Sequence, residues 1–357
     1  MRGPLSWKFL AALLLSCVAA TAGAAEKRII LLTNGNSPFW DACRVGLQSA
    51  EKDFNLSKSG LRAVMEVNDG TPKGQIDKLR QFGTQSDIVG VAVSALDADN
   101  RAIADEMRKL RKKGVKVICT DADVNRTTLR DAREYYIGTD NVRGGQVLGT
   151  AAKVLLEDRG KKSGSYVQFV GRTGSFNARE RMDGFKATVG KSYKEADRMG
   201  DDLKRPKAQE NVRNAIVNHP DLVALVGIWS YNAPAIVDVV KEKGKQGDYV
   251  IVTFDAEPIA IKDISEGQID AMVVQNPYDM GYQSVRLLKA MVEGDKGTVS
   301  EMFPGKGKDA DVYDTGLKIV VPDGKTPLKA DLFDKKTEFL TIGEFRKWLD
   351  KYGLKGS

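Results

Sequence analysis

Hydrophobic residues along this chain alternate between short continuous runs and longer stretches in which they recur every three or four positions. The continuous runs are rich in Val, Ile and Leu, which is typical of strands covered on both faces of a parallel sheet. The strands predicted in this way are 28–33, 61–67, 88–93, 115–120, 135–138, 166–170, 196–199, 222–228, 249–253, 271–274 and 317–321. The amphipathic stretches predict helices at about 39–54, 73–85, 98–113, 141–158, 178–189, 206–218, 233–243, 258–266 and 279–293.

The polar, glycine-containing segment 160–165 divides this alternation into two series of similar length. A strand, a helix and a second parallel strand form a right-handed crossover, and successive crossovers build a doubly wound sheet. The pattern therefore predicts an α/β protein with two doubly wound parallel-sheet lobes. The length of 357 residues agrees with two domains.

The first 24 residues are predicted to be a signal peptide. Arg2 and Lys8 precede an apolar run at 9–20, which is short for a membrane span, and small residues follow at 21–25. A buried N-terminal helix and a lipoprotein signal that lipidates Cys17 are the two alternatives. Export to the periplasm is expected in both signal readings.

Composition excludes several classes of protein. His219 is the only histidine, which argues against histidine metal sites and histidine acid–base catalysis. The net charge of +7 is mild, and the basic run 108–113 is interpreted as the solvated end of a helix rather than a nucleic-acid patch. Cys43 and Cys119 remain after cleavage, either as a disulfide or as two small buried hydrophobes.

Polar and aromatic residues follow the predicted strands at the ends where open α/β sheets bind ligands. These positions are 34–40, 68–69, 94, 121–123, 139–141, 172–177, 229–232, 254–255 and 275–276. Asp, Asn, Gln and Arg side chains can pair with hydroxyl groups, which both donate and accept hydrogen bonds. Aromatic rings suit the apolar C–H faces of a sugar ring. This chemistry indicates a neutral polyhydroxyl ligand.

The ordered motifs at these strand ends resemble a known family, the periplasmic sugar-binding proteins of the ribose/galactose type. This is the type I solute-binding fold of ABC importers. The resemblance covers about residues 27–323. Its motifs are Asn36-Ser37-Pro38-Phe39-Trp40, Thr120-Asp121, Gly138-Thr139-Asp140-Asn141 with Gly144-Gly145, Ala178-Arg179-Glu180-Arg181 with Gly184-Phe185, Phe254-Asp255 and Gln275.

The resemblance implies roles for matching positions. Phe39 and Trp40 would stack on the sugar. The other expected ligand-binding residues are Asn36, Ser37, Ser94, Asp121, Arg181, Trp229, Asp255 and Gln275. Three hinge strands would cross near 139–140, 275–276 and 314–316. The N-terminal lobe would then be 25–139 plus about 276–314, and the C-terminal lobe 140–275 plus about 315–323, with 324–357 as an extension.

The sequence also departs from the family pattern. Ribose binders usually carry Arg where Ala122 stands and Asn where Ser94 stands. They also carry a small polar pair at the position of Trp229-Ser230. These departures indicate a sugar that differs from ribose or is larger. The segment that begins at Asp97 starts like the calcium loop of galactose-type members, but it lacks the loop's glycine and final glutamate, so no metal is expected.

The function implied is capture of a monosaccharide and delivery to an ABC permease at the inner membrane. A monomer without cofactor, catalytic residues or nucleic-acid partner is expected. The alternative is the same fold binding a polyol or small signalling metabolite and feeding a sensor kinase or chemoreceptor. Two further classes are disfavoured: a transcription regulator, which would need an N-terminal DNA-binding motif, and a glycosidase that uses Asp121 and Asp255.

Several candidate residues have plainer structural interpretations. Asp255 could cap the next helix, and Trp40 could belong to the core. Arg181 could be a salt-bridged helix residue, with Arg179 as the competing ligand contact. Apolar residues at helical spacing in 342–349 predict a helix that packs on a lobe, with docking to a partner as the alternative.

Overall fold

A computed structural model describes residues 26–357. Thirteen strands occur in this part of the chain: β1 Lys27–Leu32, β2 Leu61–Glu66, β3 Ile88–Val93, β4 Lys116–Thr120, β5 Tyr136–Gly138, β6 Gly164–Val170, β7 Tyr193–Gly200, β8 Leu222–Gly227, β9 Val250–Phe254, β10 Ala271–Val274, β11 Val312–Asp314, β12 Leu317–Val321 and β13 Thr337–Thr341. The predicted signal peptide and Cys17 lie outside the described residues.

Eleven α-helices connect these strands in residues 26–357: α1 Phe39–Asp53, α2 Pro72–Phe82, α3 Arg101–Lys112, α4 Asn141–Asp158, α5 Phe176–Thr188, α6 Arg205–Asn218, α7 Asn232–Glu242, α8 Pro258–Ser265, α9 Pro277–Glu293, α10 Lys296–Met302 and α11 Ile342–Lys351. None of these helices is both long enough and apolar enough to cross a membrane.

The strands form two separate sheets. The N-terminal sheet has the order β11-β5-β4-β3-β1-β2, and the C-terminal sheet has the order β13-β12-β10-β9-β8-β6-β7. Every pair is parallel except β10 with β12, which is antiparallel. Helices cover both faces, so central strands such as β8 are buried along their whole length. The predicted two-lobed α/β fold class is confirmed.

The chain passes between the two sheets three times. It does so between β5 and α4, between β10 and α9, and between β11 and β12, at residues 139–140, 275–276 and 315–316. The first two crossings are joined because the hydroxyl of Thr139 donates to Oε1 of Gln275 at 2.9 Å. Short adjacent connections of this kind leave each lobe with its own core.

The C-terminal tail, which was expected to be an extension at 324–357, forms part of the C-terminal lobe. Strand β13 pairs in parallel with β12, and α11 buries Phe345 and Leu349 in the core of that lobe. The strand escaped prediction because an edge strand with one buried residue carries little hydrophobic signal. The predicted tail helix is present.

Cys43 and Cys119, the two cysteines of the described chain, are buried free thiols. Burial raises the pKa of both thiols far above the ordinary value, so they stay protonated and unreactive. Of the two possibilities left open by the sequence, Cys43 and Cys119 are therefore small buried hydrophobic residues and not a disulfide.

Glycines let α4 and α5 approach closely. A Cβ atom added at Gly145 would lie 2.1 Å from the carbonyl oxygen of Arg181, and one at Gly149 would lie 2.6 Å from that of Phe185. Only a residue without a side chain fits at such distances. Gly145 and Gly149 thus set the position of α5, the helix that carries Arg181.

We expect Gly145→Ala to destabilise the protein by at least about 2 kcal/mol, because the added methyl group collides with backbone that cannot yield without moving α5. Gly297→Ala is the matched control, since Gly297 is exposed in α10 and its added Cβ would meet only a side-chain oxygen of Asp295 at 3.2 Å. Urea unfolding measures both. Equal stability of the two variants would contradict the close helix contact.

Candidate binding site between the lobes

A cavity lies between the two lobes, at the carboxyl ends of the parallel strands. The space between its lining residues that is not filled by protein atoms, including the part open to solvent, is about 400 Å³. The N-terminal lobe contributes Asn34, Gly35, Asn36, Ser37, Phe39, Trp40 and Asp121. The C-terminal lobe contributes Asn177, Arg181, Leu203, Trp229, Ser230, Tyr231 and Asp255, and Gln275 comes from the second crossing.

The structure brings nine of the ten predicted site residues to this cavity. The exception is Ser94, which is fully buried behind the cavity wall and whose hydroxyl donates to Oδ2 of Asp121 at 2.9 Å. Ser94 was expected to bind ligand directly; in this structure its hydroxyl contacts Asp121 and lies outside the cavity lining, so direct binding stays a prediction.

Six cavity residues were not among the predicted site residues: Asn34, Gly35, Asn177, Leu203, Ser230 and Tyr231. All but Leu203 lie within the strand-end segments that the sequence pattern indicates. Their closeness in sequence to the predicted site residues is the signal that could have identified them. Leu203 follows the edge strand β7, and nothing in its sequence context indicates a binding role.

Asp121 and Asp255 occupy matching positions in the two lobes. Each directly follows a strand, has a left-handed backbone (φ +61° and +63°), and donates its N–H to the next strand, at Ile137 and Val273 respectively. Aspartate tolerates this conformation better than most residues. Both carboxylates are thereby turned into the cavity. Asp255 does not cap α8, whose N-cap residue is Glu257.

Arg181 is almost completely buried and is held on several sides. Its Nε donates to Asn141 at 2.9 Å, its Nη1 donates to the carbonyl oxygen of Ile228 at 3.1 Å, and its guanidinium lies 4.5 Å from the ring centre of Phe254. Nη1 is also 3.9 Å from a carboxylate oxygen of Asp255. Nη2 is buried without a hydrogen-bond partner among residues 26–357, so it has donors for an oxygen in the cavity.

Arg179 lies outside the cavity and pairs with Asp99 of the other lobe. It is two positions from Arg181 on α5, and residues two apart on a helix face different directions. Of the two arginines considered from the sequence, Arg181 is therefore the cavity residue. Asn177 lies one turn before Arg181 and reaches the same cavity.

Trp229 and Asn177 link the cavity wall to Asp121. The indole N–H of Trp229 donates to Oδ1 of Asn177 at 3.3 Å, and Nδ2 of Asn177 lies 3.4 Å from Oδ1 of Asp121. Asn177 belongs to the C-terminal lobe and Asp121 to the N-terminal lobe. Trp40, with an exposed fraction of 4%, both lines the cavity and belongs to the core of its lobe.

Burial disfavours the charged forms of the two cavity aspartates. It raises the pKa of the Asp255 carboxyl to about 6, against the opposing effects of the Arg181 guanidinium and the Gln275 amide. Burial also raises the pKa of Asp121, again opposed by Arg181. One guanidinium thus stabilises the charged forms of two buried carboxylates. Hydroxyl donors on a ligand would stabilise these charged forms further.

The sequence matches the family described as periplasmic binding protein domain over residues 28–296. The match covers most of the chain, so the protein belongs to this family. The resemblance inferred from the strand-end motifs is thereby confirmed.

Curated relatives point to the same family. The D-allose-binding periplasmic protein of Escherichia coli is 25% identical over 296 residues, which cover 81% of this chain and 91% of the relative. The ribose import binding protein RbsB of Bacillus subtilis is 23% identical over 264 residues, covering 73% of this chain and 80% of the relative. Both are named as binding proteins.

Solved structures share the fold. An ABC transporter solute-binding protein from Burkholderia graminis, in complex with D-arabinose, superposes with a TM-score of 0.72 at 22% identity, covering 84% of this chain and 96% of its own. One from Agrobacterium vitis with bound D-fucose gives 0.73 at 17% identity, covering 86% and 99%.

The raised pKa of Asp255 predicts a pH-dependent stability. The folded protein binds this proton more tightly than the unfolded chain, so the contribution is present at low pH and is lost as the pH rises through about 6. The unfolding free energy of Asp255→Asn minus that of wild type should therefore rise by about 2 kcal/mol from pH 4.5 to pH 7.5.

Urea unfolding without ligand at the two pH values measures this difference. Burial also raises the pKa of Asp201 to about 6. Asp201 titrates in both proteins, so its effect on stability cancels in the comparison. Asp238→Asn, at an exposed position on α7, is the control and should show no such gain. A difference between Asp255→Asn and wild type that is independent of pH would contradict the predicted titration.

Proposed function

We propose that this protein captures a neutral monosaccharide between its lobes and delivers it to an ABC importer. The observation that carries the proposal is the lining of the cavity, where the free donors of Arg181, two buried carboxylates and a set of aromatic side chains converge from both lobes. The names of the relatives, which include allose- and ribose-binding proteins, support the same ligand class.

The charge balance supports a neutral ligand. Asp121 and Asp255 outnumber Arg181, and all three are buried, so a phosphorylated or acidic sugar would bring a further negative charge into a poorly solvated site. Hydroxyl groups avoid this cost because they can donate to the carboxylates and accept from the guanidinium.

Closure of the lobes would complete the site. Several contacts join the lobes beside the cavity. Among them, the Ser175 hydroxyl donates to the carbonyl of Leu96 at 2.6 Å, the N–H of Ala98 donates to the carbonyl of Gly174 at 3.4 Å, and Asn177 reaches Asp121. A sugar that touches both lobes would favour the form in which these contacts exist, and the three crossings would act as the hinge.

Export and transport complete the proposal. Residues 1–24 would direct the chain to the periplasm, where the closed, sugar-loaded form would be recognised by the permease. Binding needs no reaction, and the relatives named above are binding proteins.

A thermal-shift screen of residues 25–357 against pentoses, hexoses, polyols and sugar phosphates tests the proposal. A neutral sugar at 100 times its dissociation constant should stabilise the protein by about 2.7 kcal/mol. Asp255→Ala and Trp229→Ala should lose at least tenfold in affinity by titration calorimetry, while Asp238→Ala, at an exposed position on α7, should bind like wild type.

The screen separates the possible outcomes. A response to polyols alone would favour the alternative of a non-sugar ligand. No response to any sugar, from folded protein shown to be free of copurified ligand, would overturn the proposal.

A further inference from the structure

Leu203 sits in a turn with an unusual backbone. It lies between β7 and α6, and both Asp202 and Leu203 are left-handed, with φ of +56° and +60°. Neither residue is glycine, so two successive left-handed positions are costly and persist only where the surroundings hold them. Such outliers are typical of functional sites.

The turn is held by a buried carboxylate behind it. Asp201 is fully buried and accepts hydrogen bonds from the hydroxyl of Tyr231, from Nδ2 of Asn232 at 2.9 Å and from the N–H of Leu203 at 2.9 Å. The N–H of Asp202 donates to the carbonyl of Gly171 at 2.9 Å. The position of Leu203 is therefore coupled to Tyr231, which lines the cavity.

Gly171 connects the turn to the aromatic wall as well. A Cβ atom added at Gly171 would lie 2.1 Å from the indole ring of Trp229 and 2.7 Å from the hydroxyl of Tyr231. Trp229 thus packs directly on the backbone that holds the Asp202–Leu203 turn. The turn and the aromatic wall form one rigid unit of the C-terminal lobe.

The Leu203 side chain reaches across to the N-terminal lobe. Its methyl groups face two glycines, since an added Cβ would lie 2.7 Å from Leu203 at Gly35 and 3.7 Å at Gly70. Leu203 packs against the hydrophobic cores of both lobes and lines the cavity. The guanidinium of Arg172 donates to the carbonyl of Gly70 at 3.0 Å beside this contact. A leucine from one lobe thus fills a glycine notch in the other.

We propose that Leu203 is a specificity-determining residue that sets the size of the ligand. It closes the cavity on the side of Gly35, so a substituent that extends toward the notch is excluded. This inference rests on the proposed function, because it assigns one wall of the same sugar site. The hydrogen-bonded turn fixes the backbone of Leu203, so its side chain starts from a defined position on this side of the cavity.

Calorimetric titration of wild type and Leu203→Ala tests this assignment. The probes are the monosaccharides found to bind wild type, their methyl α- and β-glycosides, and disaccharides that contain them. For each larger probe, the measured quantity is its dissociation constant divided by that of the parent sugar. In Leu203→Ala this ratio should be at least tenfold lower than in wild type for at least one probe. Leu332→Ala, at an exposed leucine of the tail, is the control and should leave the ratios unchanged.

A double-mutant cycle with Gly35→Ala tests the notch itself. The added methyl group should collide with Leu203 and reduce affinity for the parent sugar at least tenfold in the wild-type background. In the Leu203→Ala background, where the alanine side chain is too short to collide, the same change should cost less than threefold.

The results distinguish failure of this inference from failure of the proposed function. If wild type binds a sugar but Leu203→Ala keeps the same size ratios, or if the two substitutions are additive, the role of Leu203 is overturned while the sugar site stands. If wild type binds no sugar, the proposed function itself is overturned.

Discussion

The burial of the Arg181 charge is the constraint on which the rest of the site depends. A buried guanidinium must be hydrogen-bonded and paired, because an uncompensated charge in the interior costs several kcal/mol. Asn141 at the start of α4, Ile228 at the end of β8 and Asp255 after β9 supply those partners. Arg181 therefore ties helix α5 to the first crossing and to two strand ends of the C-terminal lobe.

The position of that charge is itself set by packing. Gly145 allows α4 to touch the backbone of Arg181, so the guanidinium enters the cavity from a helix that cannot shift. Asp121 and Asp255 face this guanidinium from opposite lobes. Both have the same local geometry, a left-handed residue directly after a strand. Repetition of one βα arrangement in both lobes thus places two carboxylates across one cavity, each turned inward by its own backbone.

Much of this site could be predicted from the sequence, and the misses have physical causes. Asp121, Asp255 and Gln275 were predictable because the carboxyl ends of parallel strands share one edge of a sheet. Ser94 also lies at such an end, but its hydroxyl bonds to Asp121 and not to the cavity, and this orientation depends on a partner from another strand. Leu203 carries no polar signal, and its place in the cavity follows from two left-handed residues held by Asp201.

Sequence by itself determined the two-lobed α/β architecture, the order of most helices and strands, and the strand ends from which most of the site is built. Continuous apolar runs and helical periodicity indicate which face of each element is buried, and they can be recognised within a short stretch of the chain. Only the tertiary structure decided that Arg181 rather than Arg179 enters the cavity, that the tail adds a strand to the C-terminal sheet, and that Leu203 meets Gly35. Those outcomes depend on contacts between segments far apart in the chain, which no local pattern encodes.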